Sequence, residues 1–129
     1  MKRSDILTIT SLLSILLMTF HLSDDVVRGF EPGGVKNIIG VLMLVVWLYG
    51  TLMLAERRAG YIIILLGSIL GSVVPVAHML GKGLVGGTIA GSSGIHFWVW
   101  TLITLQVIAI FSVILAARGL WSLPWRKLR

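Results

Sequence analysis

The chain has no cysteine among its 129 residues, and only five acidic residues and three prolines. The missing thiols exclude disulfides and thiolate metal sites. Charged residues make up 12% of the chain, where an ordinary soluble domain has about a quarter. Hydrophobic residues fill 57%, and the mean hydropathy is +0.98. No polar segment is long enough to carry a separate soluble domain with its own core.

Four apolar stretches account for nearly everything else: Ile6 to Leu22, Asn37 to Ala55, Ala59 to Met79 and Ile95 to Ala117. None has a charged residue in its interior, and three reach the roughly 20 residues a helix needs to cross a hydrocarbon layer about 30 Å thick. The expected fold is all-α: a single polytopic integral membrane domain over residues 1–129, folded as an antiparallel, left-handed bundle of four transmembrane helices.

The net charge of +6 is distributed unevenly about these spans. Eight basic residues (Lys2, Arg3, Arg57, Arg58, Arg118, Arg126, Lys127 and Arg129) fall on one side of the membrane. Arg28, Lys36 and Lys82 fall on the other, offset by Asp24, Asp25 and Glu31. The positive-inside rule then puts both termini and the Glu56–Gly60 turn in the cytoplasm, consistent with a bacterial inner membrane. A nucleic-acid partner would need a contiguous basic stripe, and there is none. The start, Met1-Lys2-Arg3 and an apolar run, reads as a first span rather than a secretory signal: the run is long, and no small-x-small pattern follows Phe20.

Thr8, Thr10, Ser11, Ser14 and Thr19 in the first span suggest an inward-facing helix, its hydroxyls bonded to helix carbonyls or to a neighbour. In the third span, Gly67, Ser68, Gly71 and Ser72 form two small-x-x-x-small pairs, a packing face for a helix of this chain or of another copy. Pro75 should kink the end of that span. Gln106, the one amide at depth in the fourth span, is expected to bond another helix. The connection from Leu80 to Gly94 holds six glycines. Its Gly81-Lys82-Gly83-Leu84-Val85-Gly86 lacks the strand and helix that a dinucleotide fingerprint requires. The tail, with Trp121, Trp125, Arg126 and Lys127, is suited to anchoring at anionic headgroups.

One constellation carries chemistry. The topology places His21, His78 and His96 at the same membrane level, with Asp24 and Asp25 three and four residues after His21. Arg28, one turn further, is within reach of either aspartate. Imidazoles with a carboxylate make a site for zinc or a similar divalent ion. Two imidazoles from different helices are also a haem ligand pair. Without a metal, His–Asp pairs relay protons or sense pH. The plain alternative is that polar residues gather where water begins, and a cofactor is not required.

Length and span number are similar to those of the small multidrug resistance transporters and the fluoride channels. The first span here has no acid between Ile6 and Leu22 to match the embedded glutamate of the transporters, and it lacks the glycine-rich, arginine-containing first helix of the channels. The expectation from sequence is a non-catalytic accessory or self-associating membrane subunit, alone or in a larger membrane complex. The alternatives are a metal or haem site serving lipid hydrolysis or redox chemistry, and, third, a small transporter or channel.

Overall fold

The computed structural model describes residues 3–31, 33–80 and 93–123. These form four helices: α1 (Arg3–Val27), α2 (Ile38–Met53), α3 (Arg58–Leu80) and α4 (Ile95–Ser122), with a 3-10 turn at Gly34–Asn37 leading into α2. All four are long and apolar enough to cross a membrane, α2 together with its leading turn. Trp125, Arg126, Lys127 and the glycine-rich stretch 81–86 lie outside the described residues.

The first helix runs past its apolar stretch. It continues through Asp24 and Asp25 and stops at Gly29, whose φ of 75° lies in the left-handed region. There Phe30 N–H donates to the Asp25 carbonyl at 2.8 Å and Gly29 N–H to that of Val26 at 3.1 Å. This paired closure satisfies carbonyls that the helix end would otherwise leave open. It fixes Asp25 in the last turn, on the face of His21.

An apolar core that includes Ile64, Leu102 and Leu105 is interleaved with buried hydroxyl residues, and the outer surface is itself apolar. Ser11, Ser14, Thr51, Ser68 and Ser112 are fully buried, while Leu16, Phe20, Leu66 and Val107 are among many large apolar side chains left exposed. Water would penalise so extensive an apolar surface, and hydrocarbon does not. The small hydroxyl residues let helices approach closely and bond within the protein.

The helix α4 packs along both α1 and α3, whereas α2 leans mainly on α3. Gly119 receives the ring of Tyr61, and Gly71 faces Ala109 and Leu105, so α3 and α4 run past each other in opposite senses. The small-residue face of α3 is used within the chain. The Trp47 indole of α2 lies against Gly67 so closely that a Cβ there would overlap it, and its far edge would be 3.3 Å from a Cβ on Gly71. Ser72 instead bonds its own helix, at the Ile69 carbonyl.

Trp47 is held at its other side by a buried chain of hydrogen bonds. Thr51 Oγ1 donates to the Trp47 carbonyl at 2.8 Å, which uses its only proton. The 2.8 Å contact between Ser11 and Thr51 therefore has Ser11 as donor, and Ser11 Oγ accepts from Trp47 Nε1 at 2.9 Å. Trp47, Gly50 and Thr51 are the buried residues of α2, all in its second half. Its first half is less buried, meeting α1 where Gly40 faces Leu22 and the core at Leu44, and a cleft lies between α1, α2 and α3.

Candidate metal centre

The sites of interest gather where α1 and α3 end and α4 begins. His21 and Asp25 are four residues apart on α1, one turn of the same face, and His78 sits on the last turn of α3. His21 Nε2 and His78 Nε2 are 3.1 Å apart. Asp25 Oδ2 is 3.3 Å from the first and 3.6 Å from the second. The two imidazole nitrogens are within hydrogen-bond distance of each other, and with the carboxylate oxygen they form a nearly equilateral triangle of atoms able to ligate a metal when deprotonated. His21 and Asp25 are buried, and the His78 side chain is 32% exposed.

Trp98 of α4 makes this arrangement specific. It is buried, and its Nε1 donates to Asp25 Oδ1 at 2.7 Å, which turns Oδ2 toward the imidazoles. Its ring also backs both histidines, with centroids 5.5 Å from His21 and 5.3 Å from His78. Each of three helices therefore contributes to one cluster: α1 the His–Asp pair, α3 the second imidazole, and α4 the group that orients the carboxylate.

The other expected members lie elsewhere. Asp24 pairs with Arg28 Nε at 2.7 Å, and Arg28 Nη1 donates to the Ser93 carbonyl, tying the end of α1 to the start of α4. His96 is exposed in the first turn of α4 and does not join the three residues whose ligand atoms lie within 4.8 Å of one another. Trp121 is exposed at the far end of α4. Gln106 is half-buried, and its Oε1 has no partner among the described residues, so the expected bond from that oxygen to another helix is not made there.

Beside the triad, the cleft between α1, α2 and α3 has a volume of about 680 Å³. Its ionisable wall residues are His21, Asp25, Glu31 and His78, all at the triad end. The remainder is apolar, from Ile39 and Met43 on α2 to Leu70 and Ile63 on α3. Glu31 follows the end of α1 and is exposed. Neither Glu31 nor the orienting role of Trp98 has a sequence signature, since both depend on how separate helices meet. No protein-family model, curated protein or solved structure matches this chain.

Proposed function

We propose that the protein is an antiparallel four-helix membrane bundle with cytoplasmic termini, and that its outward-facing end binds one divalent metal of the zinc class. The ligands are His21 Nε2, His78 Nε2 and Asp25 Oδ2. The observation that carries this reading is the triangle of 3.1, 3.3 and 3.6 Å among those atoms. Metal–nitrogen and metal–oxygen bonds of 2.0–2.2 Å in a tetrahedron put neighbouring ligand atoms about 3.3–3.6 Å apart. The triangle is close to one face of that tetrahedron.

The same distances favour zinc over haem. Axial ligands on opposite sides of an iron would be separated by two bond lengths, about 4 Å on that scale. The two imidazoles are closer, and their planes meet at 85°. Three protein ligands leave a fourth position open, where the metal acts as a Lewis acid toward water or a substrate oxygen. Glu31 lines the same cleft and is exposed to water.

His21 Nδ1 is buried without a partner. Most metal-bound histidines donate that second N–H to an acceptor, and losing such support weakens binding about 10–100-fold. The site is accordingly one of moderate affinity. Elemental mass spectrometry of protein purified without chelators tests the reading. Zinc near one equivalent is expected; protein that stays free of zinc, iron, copper and manganese even after equilibration with each would refute it.

Self-association is the second reading. Gly67 and Gly71 are filled by Trp47 of the same chain, so a second copy would use the exposed side of α2, which buries little of its surface here. Strictly monomeric behaviour in several mild detergents would refute that reading and leave the metal site untouched.

A further inference from the structure

The cleft beside the triad has the shape of a binding site for one hydrocarbon chain. On α3 its wall extends from His78 to Ile63, fifteen residues, or about 22 Å at 1.5 Å per residue. That exceeds the depth of one leaflet, about 15 Å of a 30 Å hydrocarbon core. Spread over this length, 680 Å³ gives a mean cross-section of about 30 Å². A single extended acyl chain fits within that section, and the leaflet-spanning length matches a long chain.

The walls have the matching polarity. Met43, Leu66 and Leu70 are exposed large apolar residues on the cleft, at depths where the surroundings are hydrocarbon. The ionisable residues are confined to the end where the helices meet water. A divalent metal bonded to the Asp25 carboxylate carries one net positive charge and an open coordination position, complementary to an oxyanion. Glu31, exposed on the rim, is screened by water.

We propose that the cleft binds a long-chain amphiphile with an acidic headgroup: the chain lies between α2 and α3, and a headgroup oxygen reaches the metal. The headgroup half of this inference rests on the metal reading above; the chain half rests on the cleft alone.

Titration of zinc-loaded protein in mild detergent with radiolabelled palmitate tests it, with octanoate for comparison. Saturable one-to-one palmitate binding is expected, weaker by roughly tenfold or more for octanoate because most methylene contacts are lost. Leu70→Trp fills the cleft from α3 and should reduce palmitate binding by a similar factor while zinc stays bound. Met43→Trp fills it from α2 and serves if the first variant fails to fold. Palmitate binding unchanged in both variants would overturn the proposal. So would loss of self-association rather than of palmitate binding, which would assign the cleft to a second copy. Cleft-filling variants that lose palmitate in a protein that never held zinc would sustain the chain site and refute the metal reading.

Discussion

Trp98 Nε1 and Asp25 Oδ1 are 2.7 Å apart, and this one hydrogen bond decides which carboxylate oxygen faces His21 and His78. Trp98→Phe keeps most of the ring packing and removes the donor. It should weaken zinc binding about 10–100-fold, the usual effect of losing an outer hydrogen bond. Helix content and the unfolding transition should hardly change. Zinc affinity by competition with a chelating dye, read beside circular dichroism, separates this positioning role from a purely structural one.

Asp25→Asn keeps an acceptor for Trp98 and removes the negative charge. Zinc binding should fall below detection in the same assay, because a neutral amide is a far poorer ligand than a carboxylate. Affinity within a few-fold of wild type would show that Asp25 is not bound to the metal.

The contact of Trp47 with Gly67 predicts a non-additive pair. Gly67→Ala forces a methyl into the indole and should cost about 1–3 kcal/mol, as overpacking does. Trp47→Ala removes the obstruction, so the double variant should lose less than the sum of the singles. Denaturation by SDS, titrated against a mild detergent, gives the three differences. Additive losses would mean the two residues do not meet.

Ser11 carries both ends of the buried hydrogen-bond chain. Ser11→Ala leaves the Trp47 N–H without an acceptor and should cost about 1–2 kcal/mol in the same unfolding assay. Ser23→Ala, at an exposed hydroxyl bonded only to its own helix, is the control and should be near neutral.

Much of this was legible in the sequence, and the limits have physical causes. The apolar runs mark the helices because only backbone bonded within itself survives in hydrocarbon. The four-residue spacing of His21 and Asp25 puts them on one face of any helix. The meeting with His78 depends on which helices pack together, and hydropathy is silent on that. His96 illustrates the same gap. It lies two residues before Trp98, about 200° around a helix that advances 100° per residue. Once Trp98 turns inward to Asp25, His96 must turn outward. Nothing in the residue types alone indicates which of the two takes the inner face. The small-residue face at Gly67 and Gly71 was legible as a packing surface, but its partner, Trp47 of the same chain, was not.

The orientation can be checked directly because the chain has no native thiol. Single cysteines replacing Ser93 and Glu56, both exposed, should label differently in intact cells. A membrane-impermeant maleimide should reach position 93 at once and position 56 only after permeabilisation. The reverse pattern would invert the topology and place the triad on the cytoplasmic side.

The central claim is tested most directly by titrating zinc into the metal-stripped wild type and into His21→Ala, His78→Ala and His96→Ala. The geometry predicts one equivalent bound by the wild type and by His96→Ala, and none by the other two, with all four proteins equally folded. Equal binding by all four, or loss in His96→Ala alone, would contradict the assignment of the metal to His21, Asp25 and His78.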